Sequence, residues 1–288
     1  MIDVLYWPIV ACIVLVGIHC YLGLHVLMRE VIFVDLALAQ IAAMGAAVGV
    51  LAGLPPDSAV AYFCSLGFTF LGAGIFALGR FRGRRVPQEA VIGIAYAVSS
   101  ALALLILSKI AVEQHEIESM LVGQLIYVGP GQVAKITAIY AAVALVHVVF
   151  RRPFFAVSEA GLNIEGAVRH VRAWDFLFYA TFGVVVTSSV QVAGVLLVFS
   201  YLIVPAACAM IFFASLRARL IAGWLFGLAG SALGLLASAR WDLPTGTAIV
   251  AGLGIVFALV VAAHGVRVVR QRFVSSAAPS GADAGHTR

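Results

Sequence analysis

The sequence is short of charge. Of its 288 residues, 11% are charged and 63% are hydrophobic, against about 25% and about 45–50% in an ordinary soluble domain. So few polar groups cannot provide a hydrated surface. A soluble globular fold, a nucleic-acid-binding arm and a wholly disordered chain are therefore excluded, and the solvent of this chain is lipid. Lysine is rarer still. Lys109 and Lys135 are both followed by isoleucine, so the Gly-Lys-Ser/Thr ending of a P-loop is absent. The four cysteines, Cys12, Cys20, Cys64 and Cys208, stand alone in apolar runs. Without CxxC or Cys/His spacing they indicate neither a disulfide framework nor a zinc site. His115-Glu116-Ile117-Glu118-Ser119 lacks the second histidine of HExxH, and no nucleophile elbow occurs. The chain is expected to be no enzyme and to bind no cofactor. Any nucleotide chemistry that drives it belongs to another chain.

Long apolar runs are what the sequence has in abundance. About 20 mostly apolar residues carry a helix across the hydrocarbon core. That length predicts spans near 4–28, 31–54, 59–79, 88–112, 132–150, 175–191, 193–214, 219–238 and 244–266. The stretch 176–213 is too long for one crossing and divides at Gln191, with Thr187, Ser188 and Ser189 beside the turn. Pro55-Pro56, Pro87, Gly129-Pro130-Gly131, Pro153 and Pro244 fall at or near other boundaries, where helix breakers belong. The expected fold is an all-α integral membrane bundle of about nine transmembrane helices.

The few charges then orient it. Arg29, the group Arg80 to Arg85, the group Arg151 to Arg172, Arg217, Arg219 and the arginines from Arg267 onward place fifteen basic residues on one side. Lys109, Lys135 and Arg240 are left on the other. Basic loops stay in the cytoplasm, so the N-terminus is expected outside and the C-terminus inside. Residues 1–272 form one transmembrane domain, and 273–288 are expected to be a disordered cytoplasmic tail.

Two connecting segments exceed simple turns. An external acidic one carries Glu113, His115, Glu116 and Glu118, followed by a short, partly inserted or interfacial helix from Met120 to Val128. A cytoplasmic one, 151–174, repeats Val157, Gly161, Ile164, Val168 and Val171 as a single helical stripe. This segment either lies on the membrane surface or fills a groove on a cytoplasmic partner.

Ionisable groups in lipid are costly and therefore informative. Asp35 sits one turn into the second span, with Gln40 deeper in the same helix. Asp35 either lines a cation pathway or is an interfacial carboxylate paired with Arg29 or another arginine of that side. His19 and His25 of the first span, His147 of the fifth and His264 of the ninth are expected mainly as packing residues, His19 also as a pathway candidate. Thr187, Ser188 and Gln191 are candidates for the outer mouth. Gly223, Gly227, Gly230 and Gly234 share one helix face, and Gly45 and Gly49 make a similar pair. Such faces permit close helix approach. Pro205 marks a kink or hinge in the seventh span.

Several motifs carry a resemblance. The run Val192-Ala193-Gly194-Val195-Leu196-Leu197-Val198-Phe199-Ser200-Tyr201-Leu202-Ile203-Val204-Pro205-Ala206-Ala207 closely resembles a signature of the ABC-3 family. Phe33 to Gln40, Leu121-Val122-Gly123-Gln124 and Asp242-Leu243-Pro244-Thr245-Gly246 resemble further family segments in the same order. The similarity covers roughly residues 5–266. It implies a permease subunit of a bacterial zinc, manganese or iron ABC importer in the plasma membrane. Two permease subunits, expected to be identical, would form the pathway. Two cytoplasmic ATPase subunits carrying ATP and magnesium would drive it, an external binding protein would deliver the metal, and no nucleic acid is involved. By the same resemblance 157–172 lies where the family has its coupling helix, with Glu159, Ala160, Gly166 and Arg169 as coupling residues, and Glu113, His115, Glu116 and Glu118 would dock the binding protein.

The sequence also departs from the family pattern. Where many members carry Gly-Asp-Ala-Leu-Ser-His, this chain has Asp35 at the glycine, Leu36 at the aspartate and Gln40 at the histidine. The carboxylate is thus displaced by about 100° around the helix, and an amide replaces the imidazole. Metal ligation is not carried to Gln40, because an amide is a poor zinc ligand, and the cargo stays open among manganese, zinc, iron or a metal complex. A secondary carrier driven by an ion gradient, or a non-transporting membrane subunit, are the rival readings.

Overall fold

The computed structural model describes residues 2–55, 58–79, 86–109, 125–160 and 170–276. Among these, ten α-helices form in chain order, and there is no strand. They are α1 (Ile2–Met28), α2 (Val34–Leu51), α3 (Ala59–Leu78), α4 (Gln88–Leu107) and α5 (Pro130–Val149), then the short α6 (Arg151–Ala160). There follow α7 (Val171–Ala193), α8 (Val195–Phe212), α9 (Leu216–Trp241) and α10 (Thr245–Ser276). All except α6 are long and apolar enough to cross a membrane, nine among the described residues. Inside lipid a helix satisfies its own backbone groups, so apolar runs of this length have no other open conformation.

Local chemistry sets the ends. Ser58 caps α3 by accepting from the Ala61 N–H at 3.1 Å, as N-cap hydroxyls do. Gln132 reaches back to the Gly129 N–H at 3.1 Å, just ahead of Pro130 in the first turn of α5. The break between α7 and α8 is not at Gln191. It falls at Gly194, which adopts φ +76°, a conformation glycine takes without a Cβ clash. Thr187, Ser188 and Ser189 lie inside α7. The last two are tolerated there because they donate to the Val184 and Val185 carbonyls one turn back.

Two further boundaries differ from expectation. The sixth span begins at Val171, directly after His170 in the left-handed region at φ 59°. The last helix continues to Ser276, past the expected start of the tail. Of the external segment only a 3₁₀ turn, Leu125–Tyr127, falls among the described residues. Glu113, His115, Glu116 and Glu118 lie outside them, as do Leu121 to Gln124.

The spans sort into two groups. Helices α1, α8, α9 and α10 pack on one another, and α2, α3, α4 and α7 do the same. Helices α5 and α6 touch both α1 and α7. Small residues set the close approaches within each group, where no hydrophobic drive acts between helices. A Cβ on Gly234 would lie 2.2 Å from the Cα of Ile249, and one on Gly23 would lie 1.8 Å from the Leu202 carbonyl oxygen. Gly223 and Gly227 face Pro205 of α8 as well as Cys20 and Val16 of α1, while Gly230 faces Leu253 of α10. Pro205 is thus packed against the glycine face of α9. In the second group a Cβ on Gly45 would meet Phe68 at 2.8 Å, and one on Gly49 would make only ordinary contacts.

Candidate functional site

Buried polar side chains gather both in the seam between the two groups, as Arg29 with Asp175, and within the second group, as Thr69 with Thr187 and Tyr62 with Ser188. One end of the bundle carries Arg29, Arg151, Arg152, Arg172, Arg217 and Arg219 and is called the basic end below.

At the opposite end the hydroxyls of α7 meet two other helices, α3 and α5. Thr69 of α3 donates to the Ser65 carbonyl at 2.8 Å, so Thr187 donates to Thr69 across 3.2 Å. The Ser188 proton is taken by the Val184 carbonyl, and Tyr62 of α3 therefore donates to Ser188 at 2.8 Å. By the same reasoning Tyr140 of α5 donates to Ser189. Lys135 of α5 lies 4.8 Å from the centre of the Tyr62 ring, a cation–π contact. His19 of α1 meets Tyr140 edge-on, with centroids 6.0 Å apart. Its Nδ1 sits 2.8 Å from the Leu15 carbonyl, which can only accept. The proton is thus on Nδ1, and the lone pair on Nε2 faces the interior with no partner among the described residues.

Asp35, in the first turn of α2, stands nearer the basic end. Helices α2 and α7 run parallel, because each pairs antiparallel with α3. Gly45 meets Phe68 and Gly72 meets Leu38, while Tyr62 meets Ser188 and Phe76 meets Tyr179. This register puts Asp35 level with Tyr179, roughly 12 Å by helical rise from Thr187. Asp35 is 2% exposed, and its Oδ1 has no partner among the described residues. The expected alternative, a pair with Arg29, is corrected: Arg29 is held by Asp175 at 2.7 Å, because the α1 terminus faces α7. Gln40 is half-buried and Gln191 is exposed. The structure therefore joins His19 to Ser189 through Tyr140 and places Asp35 nearer the basic end. Gln88 and Glu89 of α4 complete that region. Gln88 donates to the Tyr179 hydroxyl at 2.8 Å, and Glu89 accepts from the Phe33 N–H at 3.1 Å.

The basic end holds a second cluster, not foreseen as a site. His147 bridges Tyr21 (3.2 Å) and Thr181 (3.0 Å). Arg29 stacks over the Phe178 ring at 3.9 Å while it holds Asp175. Ser158 of α6 accepts from Arg29 Nε at 2.9 Å and lies 2.8 Å from His25 Nδ1. Helix α6 is therefore no surface-lying amphipath. Phe154, Val157 and Ser158 are buried in the bundle, and Glu159 faces outward. Of the expected apolar stripe, Val157 is buried here, and Gly161, Ile164 and Val168 lie outside the described residues. Ala160 closes α6, and Gly166 and Arg169 lie outside the described residues. In the sequence the only sign of this cluster is that Tyr21, His25 and Arg29 fall at steps of four on α1.

Chemically the buried polar groups offer hydroxyl oxygens, the Nε2 atoms of His19 and His25, unpartnered among the described residues, and the carboxylates of Asp35 and Asp175, the latter held by Arg29. No group of three His, Cys, Asp or Glu side chains forms a metal cage among the described residues. Such an arrangement suits passage better than tight retention, since a full cage would hold a divalent ion. Nine apolar spans and a polar seam between two helix groups define a membrane protein of the transporter class.

Comparison with known proteins gives the family. The model of the ABC 3 transport family matches residues 1–264, and the chain belongs to that family. It is a multi-pass membrane permease of ABC transporter type. It is 25% identical over 209 residues to the manganese transport system membrane protein MntC of Listeria innocua, covering 70% of this chain and 74% of the relative. It is 24% identical over 254 residues to the MntC protein of Halalkalibacterium halodurans, covering 85% and 82%. Among solved structures it resembles a chain of PsaBC from Streptococcus pneumoniae in complex with Fab. The TM-score is 0.73 at 21% identity, over 89% of this chain and 90% of that one.

Proposed function

We propose that this chain is the permease subunit of an ATP-driven importer for a divalent metal ion or metal complex. The observation that carries the reading is the set of buried ligand-type atoms left without protein partners among the described residues, among them His19 Nε2, His25 Nε2 and Asp35 Oδ1, in a bundle with apolar walls. In lipid such groups are costly to keep and mark pathways. The names of the relatives supply the cargo class, manganese in both quoted cases. The positive-inside rule turns the basic end to the cytoplasm. There Glu159 faces outward next to the buried Ser158, in position to meet an ATPase subunit. The two helix groups would rock about the seam, opening it first to the external binding protein and then to the cytoplasm.

The test is co-purification with an ABC ATPase subunit, followed by uptake of manganese, zinc and iron into proteoliposomes. ATP-dependent uptake of one of them is the expected result. Uptake that follows an ion gradient without ATP would make the protein a secondary carrier. Asp35→Asn is expected to slow uptake about tenfold, roughly 1.4 kcal/mol of barrier, with the complex intact. An unchanged rate would return Asp35 to a structural role. Glu159→Gln is expected to lower uptake per ATP hydrolysed without lowering membrane insertion, and a normal ratio would remove it from the coupling surface.

A further inference from the structure

The cluster at the basic end has a geometry that packing alone does not require. Arg29 and Asp175 are 5% and 0% exposed and come from different helix groups. Their helices, α1 and α7, are not close-packed neighbours, so the side chains themselves span the seam. A buried ion pair is weak evidence for stability, since an apolar pair of similar volume often does as well, and its best-attested use is to set register or a switch. The third member comes from outside both groups. Ser158 of α6 spends its one proton on the Phe154 carbonyl at 2.9 Å. It can therefore only accept from Arg29 Nε, and His25 must donate to it through Nδ1. One hydroxyl on a ten-residue helix thus aligns the guanidinium that closes the seam.

We infer that Ser158 and the Arg29–Asp175 pair form a latch across the basic end of the seam, with α6 as its handle. While Ser158 holds Nε, the guanidinium sits over the Phe178 ring with Nη1 donating to Asp175. Displacing α6 withdraws the acceptor from both Arg29 and His25, the guanidinium loses its orientation, and the two helix groups are free to part at this end. Ser158 is a positioning residue and does not touch the cargo. The inference rests on the importer reading only for what moves α6.

The test uses the full chain with its ATPase partner in proteoliposomes. Nitroxide labels are placed at Val86→Cys and Arg217→Cys, exposed positions at the basic end in the two helix groups. The background carries Cys64→Ser, because the other native cysteines are buried. Ser158→Ala, and separately the apolar pair Arg29→Met with Asp175→Leu, should each shift the resting population toward the longer inter-label distance by about tenfold. Metal taken up per ATP hydrolysed should fall by a similar factor. A distance distribution unchanged in both variants overturns the latch, even if uptake falls. If the unaltered chain carries no metal, the importer reading fails, and the label distances still decide the latch.

Discussion

Replacing Asp175 by alanine is expected to destabilise the bundle by about 3–5 kcal/mol, because it removes the carboxylate 2.7 Å from the buried Arg29 guanidinium. The site cannot rescue it by hydration: Arg29 is 5% exposed and sits over an aromatic ring. The reverse change, Arg29→Ala, removes the cation 2.7 Å from a carboxylate with no exposed surface and should cost a similar amount. Arg29→Met combined with Asp175→Leu should recover most of the loss, since it removes both charges and refills the volume. Reversible unfolding in mixed detergent micelles measures all four proteins. A loss below about 1 kcal/mol for Asp175→Ala would mean that the guanidinium finds water or another anion. The recovered double variant is also the useful tool for the latch, because it separates folding from opening.

Gly23→Ala is the second large effect expected. The added methyl would sit 1.8 Å from the Leu202 carbonyl oxygen, and both partners are backbone in long helices, so no side chain can swing aside. Helices α1 and α8 must separate, and overpacking of this kind costs about 1–3 kcal/mol or more. The separation would also loosen the helix group that contains α9 and α10. Gly17 on the same helix is the control. A Cβ there meets nothing within 4 Å, and Gly17→Ala should stay within about 0.5 kcal/mol. Thermal unfolding of the two variants side by side gives the comparison. Equal midpoints would show that α1 and α8 approach less closely than described here.

Much of the fold is legible in the sequence because spanning a membrane is a local property. Twenty apolar residues are enough to specify a crossing, and nine were readable without knowing what touches what. The motifs around Val192–Ala207 and Phe33–Gln40 point to the family for the same reason, as contiguous strings. Reading failed where polar residues imitate a turn. Thr187, Ser188 and Ser189 look like a loop in a hydrophobicity profile. In the bundle their protons return to α7's own carbonyls or cross to Thr69, and the helix runs on to Ala193. At α6 the apolar stripe shows that one face must be covered and cannot show by what.

Composition, span length and the placement of fifteen arginines are therefore enough to predict a membrane bundle of about nine spans and its expected orientation. Which polar groups meet was decided only by the tertiary structure. Asp35 had Arg29 as its nearest cation in sequence, yet Arg29 closes on Asp175, 146 residues away. The reason is geometric. Each helix carries its side chains at fixed angles about its own axis, but the register and rotation of one helix against another are set by where backbones can touch. Here those points include Gly23 on Leu202 and Gly234 on Ile249. These contacts lie far apart in the chain, and no local pattern of residues records them.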